Sequence, residues 1–149
     1  MSIPLCREKK GKIVLVGGTF EIVHPGHIYF LNKAKEYGDY LVVVVARDST
    51  VRKMKRPPVV PEDQRLKVIA SLKPVDCAVL GREQEDMLEI VKEIKPHVIV
   101  LGPDQAHDIK DMQSRISALG LRVDIKKIET REKKPLYSVK EIIRKIKES

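Results

Sequence analysis

Four unbroken apolar runs, Ile13 to Val16, Leu41 to Val45, Cys77 to Leu80 and Val98 to Leu101, constrain this chain more than any other feature. Successive strand residues point to opposite faces, so a strand that is apolar throughout has to be covered on both sides. Between the runs lie segments of helical period. Ile28, Phe30, Leu31, Ala34 and Tyr37 form one, and Leu66, Ile69 and Ala70 another. Met87, Leu88, Ile90, Val91 and Ile94 form a third, and Ile109, Met112, Ile116 and Leu119 a fourth. Their three- and four-residue spacing predicts amphipathic helices. Leu121, Val123 and Ile125 alternate with polar residues, as in a half-exposed edge strand, and Val139, Ile142, Ile143 and Ile146 mark a last helix. Gly38 is expected to cap the first helix, Pro61 to open the second, and Gly120 to end the fourth. Strands that alternate with helices and need cover on both faces predict a doubly wound α/β domain with five parallel strands.

The turn after the first run concentrates the chemistry. The segment Gly17-Gly18-Thr19-Phe20-Glu21-Ile22-Val23-His24-Pro25-Gly26-His27 joins a buried strand to a helix. Pro25 suits the first helical position, where a missing N–H costs nothing. The other N–H groups of that turn, with the positive end of the helix dipole, form an anion site. His24 and His27 project from one side of the turn, and imidazoles can donate to phosphate oxygens. A helix cap and a packed core residue are the alternative roles for the pair. Strand, glycine turn and paired histidines together suit a nucleoside triphosphate and the transfer of its nucleotidyl group.

The segment resembles the G-x-F-D-x-x-H-x-G-H signature of the nucleotidyltransferase family that includes cytidylyltransferases, adenylyltransferases and archaeal FAD synthases. Gly18, Phe20, His24, Gly26 and His27 match it position by position. Glu21 departs from it. A carboxylate on a longer arm stands where the family usually has aspartate, so any contact it makes is displaced. The resemblance implies a Rossmann-like sheet of order 3-2-1-4-5, with the ligand in the crevice where the order reverses. It also implies that Thr19, Phe20, His24, Pro25, Gly26 and His27 bind the nucleotide, with His24 and His27 catalytic.

Further candidates lie on other loops. In the resembling family the loop corresponding to Gly102-Pro103-Asp104-Gln105 holds the nucleotide, and its aspartate contacts the sugar or base side of ATP. A Pro-Asp turn is the other reading of Asp104. Arg52, Lys53, Lys55 and Arg56 follow the second run. They read either as a basic loop that neutralises a triphosphate, with Lys53 a candidate contact, or as a solvated loop. Ser138 and Glu141 fit a capping box. Ser138 also stands where the family carries a hydroxyl-rich stretch that binds phosphate. Arg131, a loop earlier, is a candidate phosphate contact. Tyr137, the sole Phe, Tyr or Trp after residue 40, is a candidate for stacking on a planar ring. Arg65 lies in a Glu-x-x-Arg stretch that resembles a family helix start, or is simply exposed.

Three stretches resemble archaeal FAD synthases in particular. They are Val45-Ala46-Arg47-Asp48, Pro61-Glu62-Asp63-Gln64-Arg65 with Leu72-Lys73-Pro74-Val75-Asp76, and Gly102-Pro103-Asp104-Gln105. The implied reaction joins ATP and FMN to give FAD and pyrophosphate, with Mg²⁺ bridging phosphate oxygens. No carboxylate cluster marks an all-protein metal site. The alternatives on the same scaffold are a cytidylyltransferase or sugar-phosphate adenylyltransferase, and a nucleotide-binding sensor without turnover.

Composition bounds the rest. The chain's 149 residues suit a single domain spanning 1–149. Its net charge of +8 suits phosphorylated ligands, while four tyrosines, two phenylalanines and no tryptophan argue against a nucleic-acid surface. No apolar run approaches a membrane span, and residues 1–10 lack a signal-peptide core, so a cytoplasmic location is expected. A homodimer is implied by the resemblance alone. Cys6 and Cys77 have neither metal-ligand spacing nor a disulfide framework. They read as an exposed thiol on a loose N-terminus and a small core residue.

Overall fold

The computed structural model describes residues 5–54, 56–82, 87–103, 109–128 and 138–149. One sheet organises them, with strands β1 (Leu5–Cys6), β2 (Ile13–Gly18), β3 (Tyr40–Val45), β4 (Cys77–Leu80), β5 (Val98–Leu101) and β6 (Asp124–Lys127). Helices α1 (Pro25–Lys35), α2 (Asp48–Met54), α3 (Glu62–Ala70), α4 (Met87–Ile94) and α5 (Ile109–Ala118) lie between the strands, and α6 (Val139–Glu148) follows the last.

The sheet order is β1-β4-β3-β2-β5-β6. Strands β2 to β6 pair in parallel. Numbered among themselves, these five have the expected order 3-2-1-4-5. The four apolar runs occupy the central strands β2 to β5, and β6 forms the half-exposed edge.

Strand alternation divides the core between the two faces. Val14, Val16, Leu41, Val43 and Val45 pack on one side against Leu31 and Ala34 of α1 and Leu66 and Ile69 of α3. Ile13, Leu15, Val42 and Val44 pack on the other side against Ile90 and Val91 of α4 and Ile116 of α5. Neighbouring residues of a single strand thus serve opposite cores, which is why β2 and β3 cannot carry polar residues on either face.

Two expectations are corrected at the end of the sheet away from the helix N-termini. Gly38 does not cap α1, because Glu36 is the C-cap residue and has right-handed helical torsions. Glycine is needed at 38 for space: a Cβ there would lie 2.7 Å from the Lys12 carbonyl oxygen. The cysteines are not free. Cys6 lies directly opposite Cys77 across the antiparallel β1–β4 pair, and the two form a disulfide. Gly120, with φ of 75°, ends α5 in the left-handed region as expected.

Residues after β1 are tied to the same edge. The Tyr40 hydroxyl donates to the Arg7 carbonyl at 2.6 Å. Asp76 accepts from the Leu41 N–H at 2.8 Å and from Lys35. Burial, and then the negative charge of Asp76, push the Tyr40 phenol above the ordinary tyrosine range.

The Cys6–Cys77 bond closes a loop of sequence separation 71. Closing a loop of that length stabilises a fold by roughly 3–5 kcal/mol in the chain-entropy account. Replacing both cysteines by serine is therefore expected to lower the urea midpoint by a corresponding amount. The variant should keep its secondary structure, since the bond lies on the outer strand pair. Equilibrium unfolding of the oxidised protein and the double variant checks this.

Candidate functional site

The site is built where β2 runs out. Gly18 ends that strand, and the ring of Phe20 folds back over it. A Cβ on residue 18 would lie 2.8 Å from the Phe20 ring, so glycine is required there. Phe20 itself has φ of 52° and is buried. A bulky residue in the left-handed region is strained, and its packing in the α1–α3 core holds it.

The chain then enters α1 through a histidine cap. His24, the N-cap residue, accepts the Gly26 N–H on Nδ1 at 3.1 Å. His27 accepts the His24 N–H on Nδ1 at 3.3 Å. Each imidazole thereby satisfies an otherwise orphaned N–H of the helix start, the task usually done by Ser and Glu in a capping box. With Nδ1 accepting, the neutral ring carries its proton on Nε2, which is then a donor. The two rings lie 3.9 Å apart at 30°, and Phe20 lies 5.3 Å from His27. Pro25 occupies the first helical turn, as expected. The cap reading and the ligand reading of the histidines are compatible, because they use different ring nitrogens.

A second layer of residues fastens the loops around this turn. Arg65, on the first turn of α3, is only 1% exposed. Its Nη1 donates to the carbonyls of Thr19 at 2.8 Å and Ala46 at 2.7 Å. Its Nε donates to the Val60 carbonyl at 2.9 Å, and its Nη2 to Asp48 at 2.7 Å. One guanidinium thus joins the ends of β2 and β3, the start of α2 and the approach to α3. The solvated reading of Arg65 is overturned. The signal for burial was its spacing, four residues before the fully buried Ile69 on the same helix face.

Arg47 and Asp48 belong to the same framework. Arg47 Nε donates to the Gly81 carbonyl at 2.7 Å, and Nη1 pairs with Glu62 at 3.2 Å. Glu62 also accepts the Asp48 N–H at 2.9 Å. Glu21 is 6% exposed. It accepts Arg56 Nη1 at 2.8 Å and the Val59 N–H at 2.6 Å. Glu21 thus ties the turn to the segment after α2.

The remaining candidates separate. Thr19 and Gly26 sit within the turn beside the histidines. Lys53 lies exposed in the last turn of α2. Ser138 caps α6, its hydroxyl accepting the Glu141 N–H at 3.1 Å. Asp104, Gln105, Arg131, Tyr137 and Lys55 lie outside the described residues. Among the described residues no group of three or more His, Cys, Asp or Glu side chains can hold a metal ion, and no helix is long and apolar enough to cross a membrane.

Known proteins resemble this chain over most of its length. A family model for cytidylyltransferase-like proteins matches residues 15–145. The FAD synthase of Methanopyrus kandleri is 45% identical over 139 residues, covering 91% of this chain and 92% of that one. The FAD synthase of Methanothermus fervidus is 50% identical over 134 residues, covering 88% of this chain and 92% of that one. A crystal structure described as a lipopolysaccharide core biosynthesis protein from Thermoplasma volcanium is 45% identical, with a TM-score of 0.79. It covers 83% of this chain and 100% of that one.

Replacing Arg65 by methionine keeps an unbranched apolar stem and removes all its donors. Three carbonyls and Asp48 would lose their buried partner. The expected cost is roughly 3–5 kcal/mol, the range for breaking a buried ion pair on one side. Arg65→Lys should recover part of it, since an ammonium offers three donors without the planar fork. Urea unfolding of the three proteins tests the ranking.

Proposed function

The chain belongs to the cytidylyltransferase-like family, and from that premise we propose that it transfers AMP from ATP to FMN, giving FAD and pyrophosphate. The histidine cap carries the proposal: two Nε2 donors stand at a helix N-terminus behind a glycine turn. The curated FAD synthases, similar along nearly their whole length, support FMN as the acceptor. The cytidylyltransferase and sugar-phosphate readings share the turn but lack that support.

In the proposed reaction a phosphate oxygen of FMN attacks the α-phosphorus of ATP. A new P–O bond forms as the bond from the α-phosphorus to the bridging oxygen of pyrophosphate breaks. The attacking oxygen is already ionised, so the site needs no strong base. Its work is positioning and charge stabilisation. His24 and His27 donate from Nε2 to phosphate oxygens, and the N-terminus of α1 adds its partial positive charge. Thr19, Phe20, Pro25 and Gly26 shape the turn around the phosphates. Lys53 and Arg131 supply further positive charge, Asp104 binds the nucleoside side of ATP, and the Ser138 end of α6 meets phosphate. Tyr137 is the candidate wall for the isoalloxazine ring.

A divalent cation, Mg²⁺ in this proposal, arrives with the triphosphate. When bound, it would add positive charge at the phosphates beside the donors of His24 and His27. One domain, a homodimer and a cytoplasmic setting complete the proposal. They rest on the similarity to the relatives and on the chain's size.

Incubating the protein with ATP, FMN and Mg²⁺ is expected to yield FAD and one pyrophosphate per FAD, read by chromatographic separation of the flavins. Pyrophosphate from CTP and glycerol 3-phosphate, with no FAD from FMN, would transfer the assignment to a sister activity. His27→Ala should keep the fold and lower turnover by roughly two to three orders of magnitude, the usual loss for one transition-state donor. Steady-state rates beside a circular dichroism spectrum decide that point.

A further inference from the structure

Glu21 is the one position of the signature segment that departs from the family pattern, and it is nearly buried. We infer that Glu21 positions Arg56 as a ligand for the terminal phosphates of the nucleotide. The inference rests on the nucleotidyl-transfer reading of the site and assigns two residues that the turn itself does not explain.

The geometry is specific. The Glu21 side chain is 4% exposed, against 38% for that of Arg56. Oε1 accepts both Arg56 Nη1 and the Val59 N–H. The carboxylate therefore holds the backbone of the segment after α2 and the cation it carries at once. Arg56 is gripped by Nη1, which also reaches the Pro57 carbonyl at 3.5 Å. Among the described residues its Nε and Nη2 have no hydrogen-bond partner. A guanidinium held along one side and open along another is pre-oriented for a phosphate, which it can meet with two parallel N–H donors.

Glu21 follows Phe20, whose buried ring and left-handed backbone fix where residue 21 starts. Its two partners lie 35 and 38 residues away in sequence, so the contact joins the turn to the segment after α2. The pair is too exposed on the arginine side to be a strong stabiliser of the fold. Its value is orientation of a cation over the turn that binds phosphate. Arg56 touches the ligand in this account; Glu21 acts through it.

The test measures binding of ATP, inorganic tripolyphosphate and AMP by calorimetry to the full-length protein and to the variants E21Q, E21D, R56M and E21Q/R56M. R56M and E21Q should each weaken ATP and tripolyphosphate about tenfold, the scale of one charge-assisted hydrogen bond. AMP, which lacks the terminal phosphates, should bind as before. The double variant should be no weaker than the worse single one, because both changes remove the same contact. E21D, which keeps the carboxylate charge, should recover part of the loss seen in E21Q. Tripolyphosphate affinity unchanged in R56M, equal losses for AMP, or losses that multiply in the double variant would overturn the inference. If E21Q fails to fold, R56M decides alone, its side chain being on the surface. A wild-type protein that binds neither ATP nor tripolyphosphate overturns the nucleotidyl-transfer reading as well. Wild-type binding with unmoved variants overturns the inference and leaves that reading standing.

Discussion

Arg65 is the interaction on which the rest of this structure depends. A parallel sheet delivers its loops at the C-terminal ends of the strands, where backbone carbonyls lose their ladder partners. Here the carbonyls of Thr19, Ala46 and Val60 converge on one guanidinium beside the glycine–histidine turn. Three convergent acceptors repel one another and, buried, cannot remain unpaired. A guanidinium answers that problem in one residue, with donors on three nitrogens in a fixed plane and a charge balanced by Asp48. The loops could not otherwise close around one another without water between them. The rigid seat of the histidine cap follows from this closure, because Thr19 lies five residues before His24 and is pinned from below.

The cap shows how one pair of side chains can meet structural and chemical demands together. A helix start buried against a sheet must satisfy its first N–H groups. Ser and Glu would do so, but the glutamate carboxylate would place a negative charge beside a phosphate. Histidine satisfies the backbone through Nδ1 and retains a proton on Nε2. The stacked rings then fix each other's tilt. A static cap therefore becomes a pair of aimed donors, with Phe20 packed against one of them. Gly18 is the complement of Phe20, since any larger residue would push the ring away.

How much of this was legible in the sequence varies with the range of the interaction. The apolar runs disclosed four of the five parallel strands because burial on both faces leaves no polar alternative at Val42, Val43 or Ile99, and the fifth showed as alternation. The turn chemistry was legible for a related reason: glycine, proline and histidine each have a local cause. The antiparallel strand β1 escaped because it has two residues, too few for any period. Its disulfide escaped with it, since a sequence separation of 71 contains no hint that Cys6 faces Cys77. Arg65 was misjudged because charge usually means exposure. Its acceptors lie 46, 19 and 5 residues away, and no local pattern reports them. At Glu21 the departure from aspartate was visible, but its partners, Arg56 and the Val59 N–H, came only from the fold.

The charge distribution of the crevice rim is best understood as arrangement rather than abundance. A net charge of +8 would attract phosphate anywhere on the surface. Near the turn, however, arginines are matched with carboxylates: Arg56 with Glu21, Arg47 with Glu62, and Arg65 with Asp48. In two of these pairs the carboxylate also takes a backbone N–H, from Val59 and from Asp48. Each such carboxylate lowers the net attraction for an anion while fixing a cation to the chain. Half-exposed pairs contribute little to stability on their own, so loss of attraction has to be offset elsewhere. The offset lies in orientation: a cation held in place before the ligand arrives loses little side-chain freedom on binding. A loosely basic loop gains encounter rate, whereas a braced one gains geometry, and nucleotidyl transfer depends on holding the α-phosphorus in line with its attacker.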